Sequence, residues 1–156
     1  MAKSTDTANV IIRPPIAWAI AVLAGIALDR LMPLPFVPAV VPSGSVGAIV
    51  FAVALALAVW AIATMTGSGS NVPTNLPTTT IVETGPYRFT RNPIYLSTML
   101  GHIGLAMAFN TLWLLLTLVP FAFVIRYGVI TREEAYLECK FGDVYGRYRA
   151  RVRLWL

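Results

Sequence analysis

Glu83-Thr84-Gly85-Pro86-Tyr87-Arg88-Phe89-Thr90-Arg91-Asn92-Pro93-Ile94-Tyr95 is the stretch around which the chain is organised. It lies between long apolar runs and packs two arginines, three aromatics, two prolines and a glycine into thirteen residues. Gly85-Pro86 reads as a turn, because glycine accepts backbone angles closed to other residues and proline fixes its own. Pro93 suits the first turn of a helix, and Asn92 just before it is an N-cap candidate. A polar, aromatic-rich loop thus feeds straight into an apolar helix. Arg88 and Arg91 fall where a membrane helix would enter its bilayer.

The rest of the composition agrees with a membrane setting. Of 156 residues, 57% are hydrophobic and only 12% charged, where a soluble domain carries about a quarter. That deficit is too large for a water-facing surface and makes lipid the solvent. The expected fold is all-α and integral to the membrane, as a single domain. The net charge of +5 resides in basic residues beside apolar segments, so membrane lipid with anionic headgroups is the expected partner and nucleic acid is not. One cysteine, Cys139, excludes an internal disulfide, and with one histidine no Cys/His metal cluster can form.

Four membrane helices follow from the apolar runs. Residues 1–10 are small and polar and read as a frayed end. No clean small-residue cleavage site follows the next apolar run, so 15–32 reads as a first membrane helix rather than a signal peptide. The Pro-rich residues 33–42 cannot continue it. Residues 44–66, with Ser43 as a cap candidate, carry no charge over 23 positions and are long enough to span. Residues 67–92 form a loop with turn chemistry throughout; on composition alone its first part, 67–82, is a flexible linker. From Asn92 to Ile125 there is no formal charge, too long a run for one crossing. A turn at Asn110-Thr111 divides it into a tight hairpin, 93–109 and 112–130, with Pro120 kinking the second limb. Residues 131–153, with four acids and six basic residues, suit a C-terminal amphipathic helix at the interface, interrupted near Gly142. Of the basic residues only Arg30 falls on the far side, so four crossings with both termini cytoplasmic satisfy the positive-inside rule, in a membrane of the bacterial inner type.

Two blocks carry a family resemblance. Gly85-Pro86-Tyr87 with Arg91-Asn92-Pro93-Ile94-Tyr95, and then Arg132-Glu133-Glu134-Ala135-Tyr136-Leu137 with Phe141-Gly142-Asp143-Val144-Tyr145-Gly146-Arg147-Tyr148, resemble the integral-membrane methyltransferases of the isoprenylcysteine carboxyl methyltransferase and phospholipid methyltransferase superfamily. The resemblance covers residues 70–153. It implies S-adenosylmethionine as cofactor, S-adenosylhomocysteine as product, and a lipid-like or prenylcysteine-like acceptor entering between helices. No glycine-rich strand-to-helix turn of the soluble dinucleotide-binding kind is present. Two rivals stand beside this reading. Sterol reductases, which bind NADPH, resemble the same C-terminal region in much longer chains, and a non-enzymatic four-helix protein such as a transporter would place polar groups within several helices.

The resemblance also assigns residues. Thr79, Thr80, Ile81 and Val82 match the segment whose backbone meets the cofactor. Tyr87, Arg91, Asn92, Pro93, Ile94 and Tyr95 match the tyrosines and the Arg-His-Pro element of the cofactor site, although an isolated tyrosine is equally at home in an interfacial belt. Asn92 stands where the family has histidine; it donates and accepts hydrogen bonds but cannot titrate near neutrality. Ser97 replaces a common glycine. Glu133 and Glu134 point about 100° apart on a helix, so they cannot share a role. One can take a cationic group such as the cofactor's ammonium while the other pairs with an arginine; on composition alone both are solvated partners of Arg132 and Lys140. With the resemblance Glu133 goes to the cofactor and Glu134 is a catalytic or supporting group. Prenylcysteine enzymes carry an arginine four residues before the first of these glutamates; here that position is Val129, with Arg126 nearly a turn earlier as the catalytic candidate. His102, between Gly101 and Gly104, is either a functional polar group at membrane depth or a packing histidine where helices approach closely. Trp18 is expected to face lipid.

Overall fold

A computed structural model describes residues 7–156; Lys3 and most of the stretch expected to fray lie outside them. The described residues form helices and loops and no strand. The first helices are α1 (Pro14–Leu31), α2 (Ser43–Gly67), α3 (Pro93–Ala108) and α4 (Leu112–Phe123). Beyond Phe123 the chain widens into a π-helical stretch, Val124–Ile130, and runs on as α5 (Thr131–Phe141). Gly142, at φ +48°, breaks the helix before α6 (Asp143–Arg151); a side chain seldom tolerates that backbone conformation.

Three of these helices are long and apolar enough to cross a membrane: Pro14–Leu31, Ser43–Gly67 and the continuous Leu112–Phe141. The fourth, α3, is apolar but has 16 residues, about 24 Å of helix. The helices alternate in direction. At one end Asn110 accepts hydrogen bonds from the Phe36 and Val37 amides and donates to the Val37 carbonyl, while the Trp113 indole donates to Met32. At the other end the Ile11 amide donates to Gly128 and the Arg132 guanidinium to the Asn9 carbonyl. The segment before α1, the 68–92 loop and the C-terminal helices therefore gather at a single end of the bundle. Asn110 itself sits at φ +48°, as a turn residue can. Asn92 does not cap α3 with its side chain; that amide is used elsewhere.

The most extensive packing joins α2 to α3, and it depends on absent side chains. A Cβ on Gly47 would sit 2.2 Å from the Ala108 nitrogen, and one on Gly104 would sit 2.8 Å from the Phe51 nitrogen. The backbones touch, as small residues permit between membrane helices. The helix α1 leans instead on α4, where a Cβ on Gly25 would meet Leu114 at 2.7 Å. Pro120 lies inside α4, and the helix changes type four residues later, at Val124. A π-helical widening adds residues per turn, and each added residue rotates everything after it by about 100°. Rotation of this kind sets which face of α5 looks inward.

These contacts fix an expectation. Gly47→Ala and Gly104→Ala should each destabilise the detergent-solubilised protein by about 1–3 kcal/mol, since the clash is with rigid backbone. Gly146→Ala, with nothing within 4 Å of its Cβ position, should instead stabilise by about 0.5–1 kcal/mol. Thermal unfolding of the three variants side by side checks both signs.

Candidate active site

Beneath the 68–92 loop lies a cavity of about 760 Å³ with mostly apolar walls. Gly85, at φ +56°, turns the chain into a 3₁₀ turn, Gly85–Arg88, that delivers Tyr87 inward. Pro93 then starts α3, so that Ile94, Ser97, Thr98 and Gly101 present one helical face to the cavity. Opposite them the rotated α5 offers Glu133 and Glu134, and α6 adds Tyr145 and Tyr148. From the loop come Thr80, Ile81 and Val82. Eleven sequence candidates thus meet at one cavity: Thr80, Ile81, Val82, Tyr87, Arg91, Asn92, Pro93, Ile94, Tyr95, Glu133 and Glu134.

Three candidates are not brought there. Thr79 turns outward, its hydroxyl donating to the Gly69 carbonyl. His102 follows Gly101, and that single residue's rotation aims it at α4 rather than at the cavity. Its ring is fully buried, 3.4 Å from the Thr117 hydroxyl and stacked on Phe121. Arg126 lies in the π-helical stretch, donates to the Thr131 hydroxyl and stays on the outer side of Glu134, 3.6 Å from Oε2. Val129 is buried in an apolar cluster with Ile125 and Phe121.

The two adjacent glutamates are treated differently. Glu134 is held by arginine: Arg91 Nη1 lies 2.6 Å from Oε1, with Arg126 on the other oxygen. The Tyr145 hydroxyl joins the same group, 3.4 Å from both Arg91 and Glu134. Glu133 accepts a 2.7 Å hydrogen bond from the Tyr95 hydroxyl, and among the described residues no lysine or arginine pairs with it. It sits past the apolar part of its helix, in the first turn of α5. Burial raises its carboxyl to about 7, against the lowering pull of the Tyr95 hydrogen bond, and the Glu134 charge adds to the rise. Burial, reinforced by the Glu133 charge, likewise raises the Tyr87 phenol, so it stays protonated.

The corner before α3 is strapped from behind. Arg91 N donates to Arg153 O, Thr90 Oγ1 to Leu154 O, and the Asn92 side-chain amide to the same Leu154 carbonyl at 3.1 Å. The Tyr148 hydroxyl donates to the Tyr87 carbonyl at 2.8 Å, and the Tyr136 hydroxyl accepts from the Thr78 amide across the loop. Tyr145 and Tyr148 were not among the sequence candidates; their three-residue spacing is the signal that could have placed them on one helical face. The parts that sequence reasoning missed are the α1 and α2 walls: Arg13 and Trp18 from one, Phe51, Ala54 and Ala58 from the other. Trp18 does not simply face lipid; it lines the cavity, its indole nitrogen buried without a partner.

The contrast between the glutamates is testable without any ligand. Glu133 binds its proton up to about pH 7 when folded but only to about 4.5 when unfolded. Its stabilising contribution is therefore complete below the unfolded value and is lost as pH rises to 7. Glu133→Gln should melt higher than the parent at pH 8 and gain nothing at pH 4.5 or below. Glu134→Gln should melt lower at neutral and alkaline pH, since it strands Arg91. Melting curves across pH 4–8 distinguish the two.

A profile of the phospholipid methyltransferase family matches residues 43–144, from the start of α2 to the start of α6. A Haemophilus influenzae protein described only as uncharacterised is 51% identical over 51 residues, a stretch covering 30% of this chain and 81% of that one. The match extends the resemblance seen in the sequence upstream through α2 and leaves α1 outside it. By that match, over its apolar helices and the cavity they enclose, the chain belongs to the phospholipid methyltransferase family and is a membrane protein of methyltransferase type.

Proposed function

We propose that the protein is an S-adenosylmethionine-dependent methyltransferase whose acceptor is an amphiphile drawn from the bilayer. The observation that carries this is Glu133, an unpaired carboxylate facing a mostly apolar cavity. A carboxylate so placed is unsatisfied without a cation, and S-adenosylmethionine brings both an ammonium and a sulfonium. The residues present suit that group. Glu133 would take the ammonium, Tyr95 fixes the orientation of the carboxylate, and Arg91 has a buried Nε with no partner. Tyr87 and Ile94 supply apolar wall, and the backbone of Thr80–Val82 borders the same space. NADPH is a poorer fit, because it brings no ammonium or sulfonium to satisfy Glu133.

When bound, the cofactor supplies an electrophilic methyl group. The protein's share is positioning and the exclusion of water, from which much of a methyl-transfer rate can come. Glu133 engaged with a cation is not available as a base, Glu134 is held by two guanidinium groups, and Asn92 cannot titrate. The site suits an acceptor that needs no proton withdrawn, such as a carboxylate. Ile16 and Leu55 line the cavity yet are 51% and 57% exposed, so the cavity opens sideways between α1 and α2, towards lipid. The alternation of the helices supports a reading of four crossings, with α3 the shortest. Gathering nearly all the described basic residues at the end holding the segment before α1 and the C-terminal helices favours that end as cytoplasmic, in a bacterial-type inner membrane.

Calorimetry on the detergent-purified protein tests the proposal. S-adenosylhomocysteine should bind in the micromolar range and NADPH should not. Glu133→Gln should lose affinity by about 10–100-fold, the usual scale for a charge-assisted contact, and Tyr95→Phe by a few-fold. Affinity should fall as pH drops below about 7, where Glu133 takes up a proton. Binding of NADPH alone would move the chain to the reductases, and binding of neither to a non-enzymatic role.

A further inference from the structure

Arg13 occupies an unusual place. It lines the main cavity and also a second recess of about 170 Å³, shared with Thr7, Asn9, Val10, Thr74 and Asn75. Among the described residues that recess contains no acidic side chain, and the Arg13 guanidinium has no hydrogen-bond or ion-pair partner. The backbone around it has nothing to offer an anion: Pro14 and Pro15 lack N–H groups, and the Ile16 and Ala17 amides already donate to the Arg13 carbonyl. The Arg13 guanidinium is the charged donor in the recess, beside the neutral Thr7, Asn9, Thr74 and Asn75 side chains. Directly below runs the lateral opening, bordered by Ile16, Trp18, Phe51 and Leu55. The helices α1 and α2 do not pack along one another; each leans on a different partner.

We propose that Arg13 and this recess form the headgroup subsite of the acceptor, taking an anionic amphiphile whose apolar chain lies in the cleft between α1 and α2. A guanidinium presents paired N–H donors that match phosphate or carboxylate oxygens. The unpartnered Trp18 indole N–H, about 7 Å further along α1, offers a second donor below the headgroup. The cavity's two unpaired charges then divide the labour, Glu133 for a cation and Arg13 for an anion, while Arg91 and Glu134 cancel between them. The subsite lies in α1, outside the family-matched residues 43–144, so acceptor choice is set apart from the shared half of the site. This subsite assignment rests on the methyltransferase reading above.

The test uses the full chain in dodecyl maltoside, with dodecyl phosphate, dodecyltrimethylammonium and inorganic phosphate as calorimetric probes. Dodecyl phosphate should bind saturably, at least tenfold more tightly than either other probe. Arg13→Gln should weaken it at least tenfold, Arg13→Lys about threefold, and the control Arg147→Gln, exposed like Arg13 but lining neither cavity, less than twofold. S-adenosylhomocysteine affinity should stay within twofold in Arg13→Gln. Unchanged dodecyl phosphate binding in Arg13→Gln, or equal binding of the cationic surfactant, would overturn the subsite. Equal affinity for inorganic phosphate would make it a free-anion site and also overturn it. A tenfold loss of S-adenosylhomocysteine binding would reassign Arg13 to the cofactor's carboxylate. If the parent binds no S-adenosylhomocysteine, the methyltransferase reading fails by itself, and the surfactant comparison still decides whether Arg13 holds an anionic headgroup.

Discussion

The pairing of Arg91 with Glu134 is the contact on which the site depends. It joins the corner ahead of α3 to the first turn of α5, two elements 43 residues apart in the chain, at 2.6 Å. Two adjacent carboxylates at the edge of an apolar cavity would repel, and each is costly to bury unpaired. Satisfying one with guanidinium groups leaves the other with a single hydrogen bond, from Tyr95. The site is therefore poised by difference: one acid is structural, its neighbour is available. Other features hold this arrangement in place. The C-terminal carbonyls of Arg153 and Leu154 anchor the corner from behind. The Tyr145 hydroxyl bridges the ion pair and Tyr148 fixes the carbonyl of Tyr87.

The helix bundle supplies the frame for that corner. Backbone contact between α2 and α3 through Gly47 and Gly104 leaves little freedom to slide, because protein interiors do not deform continuously. With α3 fixed against α2, the face carrying Ile94, Ser97 and Gly101 is fixed as well, and so is the entry of Arg91. The cavity exists because α1 is held by α4 rather than by α2. Its walls are thus drawn from both pairs, and its opening falls between them.

Much of this was written in residue types and much was not. Helix limits followed from charge-free runs and prolines: 15–32, 44–66 and 93–109 were expected, and Pro14–Leu31, Ser43–Gly67 and Pro93–Ala108 are observed. The turn at Gly85 and the break at Gly142 followed from glycine, and both take positive φ. What remained hidden was rotation about helix axes. A one-residue step separates Gly101 on the cavity from His102 on α4, and composition alone gives no axis against which to measure it. The π-helical widening at Val124–Ile130 has no composition of its own, so the aim of α5, and with it the outer position of Arg126, needed coordinates. The part played by Trp18 was hidden for another reason: a tryptophan on an apolar membrane helix reads as facing lipid, and only the separation of α1 from α2 reveals the cavity behind it.

Asn92 shows how a departure from a family pattern can be absorbed. A histidine at this corner could exchange a proton; the amide cannot, and here its nitrogen donates to Leu154 O while its own backbone amide donates to Thr90. The position has become a strap between the loop and the end of the chain. On the proposed function that is coherent, because a site whose acceptor arrives with its lone pair free has no use for a titrating group at the corner but does need the corner held still. Specificity then has to come from elsewhere. The wall that differs most in origin is α1, which lies outside the family-matched stretch and contributes both an unpaired guanidinium and an unpartnered indole N–H to the cavity. Cofactor binding and acceptor choice would then occupy separate segments of one short chain, free to vary independently.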